Sequence, residues 1–285
     1  MFVTVIIPTY HDWSRLALCL ASLRDQSYAQ DDFEVLVVNN APEDPCPETI
    51  NFEPNVALLE EAKPGSYAAR NKALQLAKGE LLAFTDSDCI ADKDWIMNAV
   101  AHFKKEPSLK RIAGHIELFY TSERRNWAEV YESVYAFRQD IAATLGASVT
   151  GNMFAYSYLF QEDKVGTFND TLFSGGDHEW SIRAKSMNLP IEYKEDVIIN
   201  HPARDTMRVL VNKSKRITGN VKSVKGSEFI QVFRFLVPPI RTWSWSRNKP
   251  FDIRIKAFTV KYYLNLIRFI EGLKIVYLKK GAQRV

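Results

Sequence analysis

Cysteine is scarce in this chain: 285 residues contain three, Cys19, Cys46 and Cys89. An odd number with no Cys-x-x-Cys pair excludes a disulfide framework and a zinc ribbon and points to a reducing compartment. Glycine and proline are also few, 12 of each, which excludes a collagen-like or low-complexity chain. No uninterrupted apolar run reaches the ~18 residues that a bilayer-spanning helix requires. The opening Met1-Phe2-Val3-Thr4-Val5 lacks a positive leader and runs directly into a strand pattern, so no secretory signal is expected. There is no internal repeat. What is present is ordinary for a folded protein: 46% apolar and 25% charged residues, enough for one large core or two modest domains, and not a disordered chain.

The net charge of +3 conceals two electrically different segments. Residues 201–285 carry 19 Lys and Arg against 4 Asp and Glu, whereas residues 1–200 carry 18 against 30. A segment that basic meets phosphate, on a membrane surface or on nucleic acid. The domain boundary is therefore expected near Arg204, with a body at 1–204 and a basic region at 205–285.

Phe2–Ile7 reads as a buried strand stopped by Pro8. Asp12 is placed to cap a helix bearing Leu16, Leu20 and Leu23. Phe33–Val38 is a second buried strand, ending in Asn39-Asn40-Ala41-Pro42. A short strand at Val56–Leu59, a helix over Gly65–Ala77 and a strand at Leu81–Thr85 follow. Asp92 is placed to cap the next helix, on which Ile96, Ala99, Val100 and Phe103 share one face. The pattern then predicts a strand at Arg111–Phe119, a helix at Glu123–Ala143, an apolar stretch at Asn152–Phe160, a helix after Gly175-Gly176-Asp177 packing Trp180, Ala184 and Met187, and a last strand at Val197–Ile199. Alternating strands and helices imply an α/β fold with a mostly parallel sheet flanked by helices.

In such sheets ligands bind beyond the carboxyl ends of the strands. The residues there are Thr9-Tyr10, Asn39-Asn40 and Asp86-Ser87-Asp88. Two carboxylates two residues apart suit a hard divalent cation that shares its shell with substrate phosphates; the competing reading is a turn whose Asp caps the next helix.

Four motifs in order, Val3-Thr4-Val5-Ile6-Ile7-Pro8-Thr9-Tyr10, Lys63-Pro64-Gly65-Ser66-Tyr67-Ala68-Ala69-Arg70-Asn71-Lys72-Ala73-Leu74, Thr85-Asp86-Ser87-Asp88 and Gly175-Gly176-Asp177-His178-Glu179-Trp180-Ser181-Ile182-Arg183, resemble the family 2 glycosyltransferases of GT-A fold over about the first 200 residues. The resemblance implies an inverting transfer of a sugar from a nucleotide-diphosphate sugar to a hydroxyl of a glycan or lipid-linked acceptor, with Mn or Mg at the diphosphate. It places Pro8, Thr9, Tyr10 and Asn39 at the nucleotide, Arg70, Asp86 and Ser87 along the donor, Asp88 and His201 on the metal, and Asp177 as general base. Two departures stand out. The family usually has at least one Asp where Asn39-Asn40 stand, and usually Glu-Asp where this chain has Gly176-Asp177.

The chemistry agrees with those assignments: a departing diphosphate needs nearby positive charge, and an acceptor hydroxyl needs a base to take its proton. Alternatives remain for several positions. Asp177 could cap the helix that follows it, Glu179 could be the base, and Arg70 could be a solvent-facing helix charge. A nucleotidyltransferase would want a Gly-rich loop where Pro8-Thr9-Tyr10-His11-Asp12 stands; a catalytically silent, membrane-docked sugar-nucleotide-binding module is the other rival. In residues 228–280, Phe229, Phe233, Trp243, Trp245, Phe258, Tyr262 and Phe269 interleave with Arg254, Lys256, Lys261, Arg268, Lys274, Lys279 and Lys280. Basic amphipathic helices of this kind lie at anionic membrane surfaces, so a protein peripheral to the cytoplasmic face of the membrane is expected. The alternative is that these helices pack on the catalytic domain or on a second subunit. Trp243-Ser244-Trp245 could also border the acceptor. Nucleic-acid binding is not expected, because no recognised motif accompanies the charge.

Overall fold

The structure is a computed structural model that describes residues 1–219 and 232–278. Phe229, Lys279 and Lys280 of the basic region lie outside the described residues, and of Tyr277 only the backbone is described. Eight strands among the described residues form one sheet in the order β3-β2-β1-β4-β7-β6-β8-β5. They are β1 (Val3–Thr9), β2 (Phe33–Asn39), β3 (Val56–Glu60), β4 (Leu81–Phe84), β5 (Ile90–Ala91), β6 (Arg111–Phe119), β7 (Met153–Tyr156) and β8 (Ile191–Pro202). The sheet is α/β as expected, and the pairings among β3, β2, β1 and β4 are parallel. Beyond them β7 runs antiparallel to both β4 and β6, and β5 antiparallel to β8.

Alternate residues of β1 face opposite layers, as strand geometry requires. Val3, Val5 and Ile7 join Leu16, Cys19 and Leu23 of α1 (Trp13–Arg24) and Trp95, Ala99 and Phe103 of α3 (Trp95–Lys105). Ile6, on the other face, joins Ala69 and Ala73 of α2 (Ser66–Leu74) and Trp180 and Ala184 of α6 (Gly176–Ser186). Strands with helices on both faces read as continuous apolar runs, and this is why β1, β2 and β4 are legible in the sequence.

Several boundaries differ from expectation for identifiable reasons. Strand β1 continues through Pro8 to Thr9, with Pro8 opposite Val38; pairing with β4 ends at Ile6, so the missing N–H of Pro8 leaves no gap in a ladder. Asp12 precedes α1 without capping it, because its carboxylate accepts instead from Arg15 Nε at 2.7 Å and Ser87 Oγ at 3.2 Å. Asp94, not Asp92, precedes α3, and Asp92 Oδ1 accepts from the Asp94 amide. The single helix expected over Glu123–Ala143 is two, α4 (Trp127–Tyr135) and α5 (Gln139–Thr144), because Phe137 adopts a left-handed conformation, φ 46°, with its ring on His201 at 4.5 Å. Met187 is half exposed beyond the end of α6 rather than packed.

The chain groups into two compact units. One comprises Met1–Glu117, Phe137–Leu172 and Gly176–His201; the other takes Leu118–Ala136, Phe173–Gly175 and the described residues from Pro202 onward. In the second, α4, α7 (Met207–Thr218) and α8 (Phe251–Leu278) share a core of Ala128, Val130, Val134, Leu210, Ala257, Val260 and Leu264. An Asn126 cap with the reciprocal Glu129 contact starts α4, and Arg204 donates to buried Glu132 at 2.8 Å. No described helix is long and apolar enough to cross a membrane.

Candidate active site

Strands β2, β1 and β4 are adjacent and parallel, so the segments after them emerge at one edge. Thr9 is buried there and its Oγ1 has no hydrogen-bond partner among the described residues. Tyr10 is nearly half exposed, its ring edge-on to His11. Asn39 is buried and uses its amide locally, donating to the Asp44 carbonyl at 3.0 Å and accepting from the Ala41 amide at 3.0 Å. Asn40 likewise binds the Glu61 and Lys63 carbonyls and the Gly65 amide. These two side chains hold the loops on either side of the first unit's edge. In the same loop Asp44 is bonded to His11 at 2.9 Å and accepts from Trp13 Nε1 at 3.1 Å.

The turn after β4 carries the Asp-x-Asp pair. Asp86 accepts from Arg70 Nη2 at 2.5 Å. Arg70 is 2% exposed, so it is not a solvent-facing charge, and its Nε has no hydrogen-bond partner among the described residues. Ser87 is buried and donates to Asp12. Asp88 lies 3.6 Å from His201 Nε2 and 3.5 Å from Arg15 Nη1. Burial works against the Arg15 charge, but the bond to Asp12 and the field of Asp88 prevail and raise its pKa.

Asp88, Cys89 and His201 bring one ligand atom each within 4.8 Å of one another. The chemistry of this set separates its members. Burial and the fields of Asp86 and Asp88 push the Cys89 thiol well above its ordinary range, and its sulfur is a soft ligand. A hard cation prefers the carboxylate and can add the imidazole. Asp88 and His201 therefore fit a divalent metal, and Cys89 does not.

The base candidate stands on a different element. Asp177 is the second residue of α6 rather than its cap. Its Oδ1 accepts from Tyr67 Oη at 3.0 Å and the His178 amide at 2.9 Å, and its Oδ2 from the Thr150 amide at 3.4 Å. Tyr67 is buried, and burial followed by the nearby Asp177 charge raises its pKa strongly. Glycine at 176 is required by this contact, because a Cβ there would come within 2.7 Å of the Tyr67 ring. Glu179 is paired with Arg183 at 2.8 Å, and Arg183 also binds the carbonyls of Val165 and Thr167. Glu179 is thus a fastening of α6.

One helix ties the two halves of the site together. Tyr67 and Arg70 are one turn apart on α2 and share a face; the first reaches Asp177 and the second Asp86. The segment after α5 does the same from the sheet side: Thr150 donates to Asp177, and the position of a Cβ on Gly151 lies 3.4 Å from Asp86 Oδ2. Sequence reasoning missed Tyr67, Arg15 and Thr150. Tyr67 was detectable, being an aromatic one helical turn before a singled-out arginine; Arg15 and Thr150 carry no local signal.

An open α/β sheet with an Asp-x-Asp turn beyond its parallel half defines a GT-A type scaffold, and known proteins bear this out. Residues 4–162 match the family Glycosyl transferase family 2. The chain belongs to this family. Glycosyltransferase AglE of Haloferax volcanii is 31% identical over 209 residues, 71% of this chain and 67% of that one. Poly(ribitol-phosphate) beta-glucosyltransferase of Bacillus spizizenii is 33% identical over 281 residues, 90% of this chain but 42% of that one. The chain spans less than half the length of several curated relatives it matches. Among solved structures, the mannosyltransferase PcManGT from Pyrobaculum calidifontis, in complex with GDP-Man and Mn2+, shares the fold with TM-score 0.63 and 17% identity, over 98% of this chain and 88% of that one. TarS 1–349 of S. aureus shares it with TM-score 0.55 and 20% identity, over 93% and 90%.

Proposed function

We propose that this protein is an inverting, metal-dependent hexosyltransferase that moves a sugar from a nucleotide-diphosphate sugar to a hydroxyl of a glycan or lipid-linked acceptor. The observation that carries the reading is the α2 strut, which fixes Asp86 through Arg70 and Asp177 through Tyr67, one helical turn apart. A scaffold with no ligand to position has little reason to bury an arginine under one carboxylate and a tyrosine under another. Thr9 Oγ1 and Arg70 Nε, which have no hydrogen-bond partner among the described residues, support a site whose bonding a ligand completes.

In this reading Pro8, Thr9, Tyr10 and Asn39 border the nucleotide, and Arg70, Asp86 and Ser87 hold its ribose and diphosphate end. Asp88 and His201 would hold the metal, and the imidazole suits Mn better than Mg. The ion supplies the positive charge that lowers the energy of the departing diphosphate. Asp177 takes the proton of the acceptor hydroxyl as the new bond forms. A single in-line displacement with one base inverts the anomeric centre. Relatives named for transfer to poly(ribitol phosphate) and to a dolichyl phosphate-linked sugar support a glycan or lipid-linked acceptor. Structural neighbours in complex with GDP-Man and Mn2+ and with UDP-GlcNAc support the nucleotide-sugar donor. Residues 1–204 are assigned to catalysis and 205–285 to association with an anionic membrane at the cytoplasmic face, a compartment consistent with three free cysteines.

Thermal unfolding with UDP-, GDP- and dTDP-sugars, with and without Mn, tests the donor site. A donor at about 100 times its Kd should stabilise by about 2.7 kcal/mol, a rise of roughly 5–10 °C. The metal-dependent part of that rise should vanish in Asp88→Asn and His201→Ala. Asp177→Asn should keep the donor-induced rise and lose turnover; unchanged turnover removes Asp177 from its role.

A further inference from the structure

Helix α8 carries apolar side chains outside its core stripe as well as within it. Ile253, Ala257, Val260 and Leu264 point into the core of the second unit. Ile255, Tyr263 and Ile270 lie outside that core stripe and are 43%, 45% and 50% exposed.

Residues 232–246 run antiparallel along one flank of α8. A Cβ on Gly272 would come within 2.7 Å of Val232, the rings of Phe233 and Phe269 are 5.5 Å apart, and Tyr262 Oη donates to the Leu236 carbonyl at 3.2 Å. Further along, Trp243 stands edge-on to Phe258 at 5.5 Å, with the Arg254 guanidinium over its ring at 4.5 Å. This strap leaves its own apolar side chains outside. Phe233, Val237 and Ile240, with Phe251 at the start of α8, are 51%, 62%, 70% and 69% exposed. Two elements in contact thus both expose large apolar side chains, the kind of exposure that marks an interaction site when it is clustered.

The charge of this region is predominantly of one sign. Residues 232–278 carry nine Lys and Arg, Arg234, Arg241, Arg247 and Lys249 among them, against two acidic residues, Asp252 and Glu271, which lie 3.5 Å from Lys256 and 3.6 Å from Lys274 respectively. An isologous contact with a second copy would set these cations against themselves. An anionic bilayer matches them with headgroup charge while its acyl region takes up the apolar side chains.

We propose that the strap 232–246 and the outer face of α8 form an in-plane docking surface for an anionic lipid bilayer, with Phe233, Val237, Ile240 and Phe251 entering the headgroup–acyl boundary. The proposal rests on the membrane reading of the basic region and names the face that performs it. The test is flotation of the full-length chain with phosphatidylcholine vesicles containing or lacking about one quarter phosphatidylglycerol, alongside the double variant Val237→Glu/Ile240→Glu. Both positions are exposed, so thermal unfolding of the variant should match the parent. The expected result is flotation with the anionic vesicles only, a partition constant lowered by more than about tenfold in the variant, and quenching of parent tryptophan fluorescence by brominated anionic lipid. Flotation of parent and variant alike overturns the assignment of this face and leaves the membrane reading standing. No flotation of the parent overturns both. A parent dimer that the double variant converts to monomer, without flotation, gives the face to a second copy and overturns the lipid.

Discussion

Replacing Tyr67 by Phe removes one oxygen and leaves the ring that packs on Phe168 and against Gly176. The lost group is the 3.0 Å hydroxyl donor to Asp177 Oδ1. A hydrogen bond to an ionised acceptor is worth about 1.5–3 kcal/mol. The donors that remain on Asp177 are two backbone amides, one of them at 3.4 Å, and neither reaches the carboxylate from α2. If that bond fixes the carboxylate for proton abstraction, its loss should lower kcat by about one to two orders of magnitude at 1.36 kcal/mol per decade. KM for the donor should stay near the parent value, because Arg70 and Asp86 are untouched. The assay is steady-state transfer by Tyr67→Phe, Asp177→Asn and the double variant, with unfolding temperatures measured in parallel. In the Asp177→Asn background, Tyr67→Phe should have almost no further effect, since the pair acts as a unit. A kcat within about twofold of the parent, or the same loss in both backgrounds, refutes the positioning argument.

Removing Arg70 should act on the fold as well as on the donor. Arg70→Met leaves Asp86, 38% exposed, without its cation; the lost charged hydrogen bond is worth about 1.5–3 kcal/mol, reduced by solvent at the carboxylate, and differential scanning calorimetry should register a fall of about 5 °C. Asn152 is fully buried and joins Trp95 Nε1, the His115 carbonyl and the Val197 carbonyl at 2.9, 2.7 and 2.9 Å. Asn152→Leu should therefore destabilise by about 3 kcal/mol or more, read by chemical denaturation. In the second unit, burial first and then neighbouring arginines lower the pKa of Lys213 and Lys261 from 10.5 to about 8. The unfolded chain binds more protons than the native one between these values, so stability should rise as pH goes from about 8 to about 10. The Lys213→Met/Lys261→Met double variant should flatten that rise in melting curves taken across the same range.

The sequence alone determined the alternation of buried strands and amphipathic helices, because burial on both faces of a sheet leaves an apolar run and burial on one face of a helix leaves a 3.6-residue stripe. It also located Asp86, Asp88 and Asp177 at the ends of elements, where a side chain projects regardless of what surrounds it. Tertiary structure decided what those side chains meet. Asp12 looks like a helix cap in the sequence, yet it bonds Arg15 and Ser87, the latter a residue 75 positions away. Asn39 stands at a strand end, yet its amide closes its own loop. The antiparallel half of the sheet was illegible because strand direction is set by partners distant in sequence. Helix α4 belongs with α7 and α8 by packing, which a charge profile along the chain cannot register. The link between the two halves of the site, Tyr67 to Asp177, spans 110 residues. Local propensity acts over a few residues, whereas the contacts that orient a carboxylate come from whichever chain folding brings near, and only the assembled fold specifies those.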